Sequence, residues 1–190
     1  MAVGTTVRIE EPLAMTRTER LRRVLLLCCH FARNHAYLTA GRRGRQLRLR
    51  TRFWRSTTNN SYDLCVLEWC KLFADPRDHH YWGNVVADPA AFESELRGRI
   101  VIAAPVFQQY VVAMRRYRDK FVAHLDSDRV AQLPSLDIAR AAVTVYYGHV
   151  LLREAKPVTA KTFPRDLERY HSDCYYEALD VYEQLRSSGV

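Results

Sequence analysis

The sequence predicts an all-α protein, an antiparallel helical bundle of four to five long helices plus a short one. Apolar residues recur every three or four positions in several long segments, which is the spacing of one helix face. Glycine, proline and aspartate cluster between these segments, as is typical of turns. Only residues 47–52 alternate in the manner of a strand, and they have no partner with which to form a sheet.

The chain is expected to begin with a loose leader, residues 1–15, followed by one helical domain, residues 16–190. The first helix is predicted at about 18–40 because its apolar residues keep helical spacing. Thr16 or Thr18 is expected to cap it.

Residues 41–55, GRRGRQLRLRTRFWR, are predicted to form an extended or irregular connector. They contain seven arginines and no acid, and residues 1–58 hold 13 basic and 3 acidic side chains. Such a run attracts polyanions, most often nucleic acid, although a solvated basic face or a disordered arm has the same composition. The arginines expected to contact RNA are Arg42, Arg43, Arg45, Arg48, Arg50 and Arg52.

Further helices are predicted at about 60–74, 89–97, 105–125, 136–150 and from 167 onward. Asp88 and Pro89 suit the N-cap and first turn of the short third helix. Pro105 opens the long helix that follows.

Five cysteines, an odd number with one adjacent pair in a helical setting, argue against disulfides and favour a reducing cytoplasm. No repeated short Cys or His spacing indicates zinc, and no cofactor is expected. No run reaches the roughly 18 apolar residues of a membrane span, so no membrane partner is expected. The sequence also lacks the phosphate-binding loops, nucleophile elbows and HExxH motifs of common hydrolases.

The loop DPRDHHYW holds His79 and His80 beside Tyr81 and Trp82. The favoured interpretation is a packed loop anchored by Trp82. The alternative is that the loop lines a cleft and offers a platform on which a base stacks.

Arg118 is the most unusual residue of the long helix 105–125. On a wheel of 100° per residue it falls within about 40° of the apolar Val111 and Met114. Burying an unpaired cation is costly, so three arrangements are open: the side chain extends to solvent, pairs with a buried acid, or faces a cleft or subunit interface that binds anions. His124 follows about 9 Å along an ideal helix and about 120° around it.

The segment RDKFVAH, residues 118–124, resembles the R-x(4–6)-H motif of the HEPN superfamily (higher eukaryotes and prokaryotes nucleotide-binding domains). Its setting, MRRYRDKFVAHLD, looks most like the branch found in abortive-infection phage-defence proteins. The upstream NNSYDLCVLEWCKLFAD, residues 59–75, and HHYW, residues 79–82, are also similar to that branch. The resemblance implies a homodimer in which two motifs share one cleft and, in active members, a metal-independent endoribonuclease.

Carried over to this chain, the resemblance implies that Arg118 binds and polarises the scissile phosphate. His124 would move protons between the ribose 2′-OH and the leaving 5′ oxygen, and Asp119 would position the pair. An imidazole suits proton transfer at neutral pH, and a planar guanidinium stabilises the charged transition state. The commoner active motif has Asn where this chain has Asp119, and an acid there would weaken phosphate binding.

The expected function is therefore RNA cleavage in a phage-defence or toxin role. One alternative is a non-catalytic module that binds RNA or a protein partner such as an antitoxin. Another is a scaffold in which Arg118 is tied to a buried acid.

Overall fold

The computed structural model describes residues 15–44, 46–123 and 133–188, and it confirms the predicted all-α class. Of the predicted leader, residues 1–14 lie outside the described residues. The helices are α1 (Arg17–Ala40), α2 (Arg52–Phe73), α3 (Trp82–Val85), α4 (Pro89–Ile100), α5 (Ala104–Tyr117), α6 (Asp137–His149), α7 (Pro157–Ala160) and α8 (Leu167–Ser187). None of these helices combines the length and apolarity that a membrane crossing requires.

Two π-helical segments extend the long helices without a break. The first π segment (Arg118–Ala123) continues α5, and the second π segment (Val150–Glu154) continues α6. The predicted helix 105–125 is thus an α-helix that changes to i→i+5 bonding at Arg118.

Helix α1 occupies the centre of the molecule and packs against α2, α6, α8 and the second π segment. Half of its 24 residues are buried. Of the two predicted caps, Thr16 is the one used: its hydroxyl accepts from the backbone N–H of Glu19, whose carboxylate accepts from the backbone N–H of Thr16. This reciprocal arrangement satisfies two of the donors that a helix start leaves unpaired.

Helix α8 runs parallel to α1, because His35 meets His171 and, further along, Gly41 meets Tyr182. A Cβ at Gly41 would lie 2.8 Å from the Tyr182 hydroxyl, so a larger residue there would require that side chain to move.

Helices α2 and α5 run antiparallel and are joined by aromatic rings, as residue numbers rise on one helix while they fall on the other. The ring pairs are Phe73–Phe107, Trp69–Tyr110 and Tyr62–Tyr117. Each pair adds about 0.5–1.5 kcal/mol beyond the area that it buries. The Tyr117 hydroxyl also donates to Asp63 of α2 at 2.8 Å, which fixes the end of α5 in place.

The arginine-rich segment differs from the predicted irregular connector. Strands β1 (Arg42–Arg43) and β2 (Gln46–Leu47) form a short antiparallel hairpin, and Gly44 adopts φ +60 at its turn. Helix α2 then begins at Arg52, eight residues before the predicted start. The polar residues of its first turns carry no apolar period, which is why the pattern missed them.

Two other predicted helix starts are confirmed. The Asp88 carboxylate caps α4 by accepting from the backbone N–H of Ala91 at 3.0 Å. Pro105 lies in the first turn of α5. Both residue types satisfy or avoid the unpaired donors of a first helical turn.

Val101 ends α4 in the left-handed region, with φ 52 and ψ 42, and its side chain is 87% exposed. This conformation costs an L-residue about 1–2 kcal/mol, and the exposed side chain makes little packing to offset that cost. We expect Val101→Gly to raise the free energy of unfolding by about 1 kcal/mol, measured by urea denaturation. Val101→Ala keeps a Cβ in the same conformation and should gain less; a loss of stability in Val101→Gly would contradict the expectation.

Candidate functional site

Arg118 lies where α5 ends and the first π segment begins. Its side chain is 23% exposed. The buried face of α5 consists of Tyr110, Val111, Met114 and Tyr117. Arg118 continues this face by one residue, and its side chain is only partly buried.

The guanidinium of Arg118 is held by its own neighbour. Its Nε donates to Asp119 Oδ1 at 2.8 Å, and the Asp119 side chain is 56% exposed. This hydrogen bond raises the pKa of Arg118. The two terminal nitrogens make no hydrogen bond within residues 15–44, 46–123 and 133–188, and two such N–H groups form the fork that binds an anion bidentately.

Of the three arrangements that the sequence left open, the structure has a guanidinium at the edge of the core, paired with a surface acid. No buried carboxylate among the described residues holds it. The scaffold alternative, which requires such a buried acid, has no support in the described part of the chain.

Arg118 and Arg115 both approach the thiol of Cys70 on α2. Burial raises the pKa of Cys70 to about 12, and this outweighs the lowering by the two guanidinium groups. The thiol is therefore protonated at neutral pH and is no nucleophile for this site.

The relation between Arg118 and His124 cannot follow the predicted wheel. The chain is π-helical from Arg118 to Ala123, so its turns are wider than the 100° spacing assumes. His124 lies outside the described residues, as does Asp126. No sequence pattern revealed the π segment, because apolar spacing reports a helix face and does not report its hydrogen-bond register.

A cleft of about 640 Å³ opens between α4, α5 and the loop before α3. Tyr81, Trp82 and Phe107 line it, together with Arg115 and with Arg97, which pairs with Glu93 of the same lining at 3.7 Å. Trp82 also packs on Phe92, with ring centroids 5.5 Å apart. The loop before α3 thus combines the two interpretations offered for it: Trp82 packs it against the core, and it also lines a cleft. Arg115, which no motif indicated, lies one helical turn before Arg118.

The predicted RNA-binding arginines surround the hairpin at the other end of α2. Arg43, Arg50 and Arg52 are exposed, and Arg42 is half-buried. Arg45 lies outside the described residues.

Arg48 has a structural contact that the sequence did not indicate. Its Nε donates to the carbonyl of Ala40 at 2.8 Å and so satisfies the end of α1. Along α2, Arg52 is 18 residues from Cys70, or about 27 Å, so the structure keeps Arg52 far from Arg118.

All five cysteines are buried and free, as their core positions predicted. No three His, Cys, Asp or Glu side chains of the described ranges converge on a position for a metal ion.

Comparison with protein-family models, with curated proteins and with solved structures finds no match to this chain. The HEPN resemblance therefore stays a prediction that rests on the motif.

Glu68 of α2 is a buried carboxyl that faces α1. The Asn34 amide donates to its two oxygens at 3.2 and 3.4 Å. Burial raises the pKa of Glu68 from 4.5 to about 7, against the lowering by the Asn34 hydrogen bond and by Arg33. The folded protein thus holds this proton at pH values where the unfolded chain has released it.

The free energy of unfolding should therefore fall as the pH rises from 4.5 through 7, by about 3 kcal/mol from this one group. Glu68→Gln, which mimics the neutral carboxyl, removes that loss. We expect its melting temperature relative to the native protein to rise between pH 5 and pH 8. Glu177→Gln, at an exposed position of α8, is the control and should show no such change. An equal difference at both pH values would contradict the assignment.

Proposed function

We propose that this protein is a metal-independent endoribonuclease of the HEPN type, which acts as a homodimer in a phage-defence or toxin role in the reducing cytoplasm. The observation that carries the proposal is the state of Arg118. Its Nε is fixed by Asp119, its terminal nitrogens are unbonded within the described chain, and it stands at an α-to-π transition. Such transitions frequently occur at functional sites.

In this proposal the guanidinium of Arg118 binds two oxygens of the scissile phosphate. His124 takes the proton from the ribose 2′-OH, whose oxygen attacks phosphorus, and a proton is returned to the leaving 5′ oxygen. The product is a 2′,3′-cyclic phosphate. Asp119 positions Arg118 through Nε, which leaves the two ends of the guanidinium for substrate.

The cleft beside α5 supports the proposal because Arg115, which lines it together with aromatic rings, lies one helical turn before Arg118. Tyr81 and Trp82 are half-buried and line it, and Arg115 adds positive charge at the end nearer to Arg118. Aromatic rings and arginines are the groups on which single-stranded RNA stacks and by which its phosphates are held.

The test is cleavage of structured RNA in EDTA by the native protein, Arg118→Ala and His124→Ala. Removing the group that stabilises the transition state or the group that moves the proton should lower the rate at least 100-fold. The products should carry 2′,3′-cyclic phosphate ends. Arg99→Ala, at an exposed position of α4, is the matched control and should keep full activity.

Cleavage that survives both Arg118→Ala and His124→Ala would overturn the site assignment. Because Arg118 pairs with an exposed acid, Arg118→Ala should lower the free energy of unfolding by less than about 1 kcal/mol. Melting curves of each variant therefore separate a lost reaction from a lost fold.

A second candidate is a non-catalytic module that binds RNA or a protein such as an antitoxin. The observation that favours the RNA-binding form is the surface at the hairpin. Phe53, on the first turn of α2, is 67% exposed beside the exposed Arg52. An exposed ring next to arginines is a stacking platform with phosphate contacts around it.

If this surface binds RNA, affinity should depend steeply on salt. Replacing Arg43, Arg50 and Arg52 together by Gln should reduce the slope of log K against log salt by about 2 for a single strand. The control replaces the exposed Arg99, Arg165 and Arg186 by Gln and should leave the slope unchanged. Equal slopes for both triple variants would show that the hairpin is not the RNA contact.

A further inference from the structure

A groove of about 200 Å³ lies between the start of α2 and the middle of α8. We call it the α2–α8 groove. Three helices line it, with Tyr37 of α1, Trp54 and Thr57 of α2, and Glu177, Val181 and Tyr182 of α8. Trp54 packs on Tyr182 with ring centroids 5.2 Å apart, so the two sides of the groove are held together. Arg118 does not line it.

Apolar side chains beside this groove are open to solvent. Phe53, Thr57 and Leu64 follow one another at intervals of four and seven residues, so they share one face of α2. Phe53 is 67% exposed, and Leu64 is exposed as well. On the α8 side, Val181 is 46% exposed. Exposed apolar side chains that stand together beside a groove, rather than singly, mark a surface that another molecule covers.

The α8 side of the groove is acidic. Asp173, Glu177 and Asp180 are spaced by four and three residues, so they share one face of the helix, and all three are exposed. Residues 170–185 contain four acids and no lysine or arginine. None of the three carboxylates forms an ion pair within the described part of the chain. This face of α8 therefore carries negative charge that the fold does not neutralise.

The α2 side of the groove is basic. Arg50 and Arg52 stand on either side of the N-cap residue Thr51, next to Phe53, and both are exposed. Neither guanidinium forms an ion pair with a described residue. Opposite charges thus lie on the two sides of one groove, and the chain does not bring them together.

A second copy of the chain is the partner that matches both sides. In an isologous contact a surface meets itself, so each complementary pair forms twice. A two-fold axis that runs along the groove places α2 of each copy over α8 of the other. The basic side then faces the acidic side in both halves of the contact. A partner of a single charge sign would match only one side of the groove.

We propose that the α2–α8 groove is an interface between two copies of this chain. Arg50 and Arg52 of each copy pair with Glu177 and Asp180 of the other, and the exposed apolar side chains beside the groove are covered between them.

This contact does not depend on the ribonuclease proposal. Arg52 lies about 27 Å along α2 from Cys70, the thiol that Arg118 approaches. Two copies joined here therefore do not bring their Arg118 side chains together, and the contact is additional to the homodimer proposed above. A copy bound here also covers Arg50 and Arg52, so it excludes RNA from these two arginines.

The experiment is sedimentation equilibrium of the full chain, which gives the mass and the dissociation constant of the assembly. Two double variants each reverse the charge of one side. Arg50→Glu with Arg52→Glu makes both sides acidic, and Glu177→Arg with Asp180→Arg makes both sides basic. Each should raise the dissociation constant about 100-fold and halve the mass, because like charges then face each other. An equimolar mixture of the two should recover the native mass, since an acidic surface then meets a basic one.

The matched control is Arg77→Glu with Arg99→Glu, at exposed positions that do not line the groove, and it should keep the native mass. Arg118→Ala should keep it too, which separates this contact from the proposed active site. A native mass equal to that of the double variants, or a mixture that stays at the lower mass, would overturn the proposal. Loss of RNA binding in Arg50→Glu with Arg52→Glu, with no change of mass, would assign these arginines to RNA and overturn it as well.

A second measurement needs no variant and so keeps the contact testable even if a double variant does not fold. Raising the salt concentration from about 0.05 M to about 0.5 M screens exposed ion pairs, so the dissociation constant of the native assembly should rise about tenfold. An association that is independent of salt would contradict the proposed pairing.

Discussion

The enclosure of α1 by other helices is the constraint on which the rest of the structure depends. A helix surrounded in this way must find partners for every polar side chain that it buries, because water cannot reach them. Asn34 meets Glu68 of α2, and His35 meets His171 of α8 with 2.9 Å between Nδ1 and Nε2. Burial lowers the pKa of His35 to about 4, so this imidazole pair is neutral at neutral pH and shares one hydrogen bond.

These two polar pairs also set the positions of α2 and α8 relative to α1. Because an unmatched partner would cost about 1–3 kcal/mol, α2 and α8 have one register against α1. Helix α5 is then placed on α2 by its aromatic rings, and Arg118 follows directly from the end of α5. The position of the candidate active site is thus set from the centre of the molecule outward.

The sequence predicted the helices best where the spacing of apolar residues and the capping residues indicate the same helix. Thr16 and Asp88 begin helices as their side chains predict, and the helically spaced apolar residues such as Leu25 of α1 and Trp69 of α2 are buried. The early start of α2 was missed because residues 56–60 are polar, although hydroxyls such as that of Thr58 donate to the carbonyl four residues back. The π segments were missed because a change of hydrogen-bond register leaves no mark on composition.

For the candidate site, residue type was predictable and environment was not. The wheel placed Arg118 on the apolar face, but only the structure shows that its guanidinium pairs with the exposed carboxylate of Asp119. Arg48 was grouped with the RNA-binding arginines, yet its Nε donates to the carbonyl of Ala40 at the end of α1. The orientation of His80 depends on Asp78 and on Tyr146 of a distant helix, and only the folded chain brings the latter to it.

The buried thiols have a consequence for how the molecule can be studied. Cys28 and Cys29 lie in α1, Cys65 and Cys70 in α2, and Cys174 in α8, each shielded from solvent. Burial raises the pKa of every one of them, so alkylating reagents react only after a helix has moved aside. The rate at which each thiol is modified therefore reports how often its own helix separates from the others. The cysteines can thus serve as probes of local unfolding.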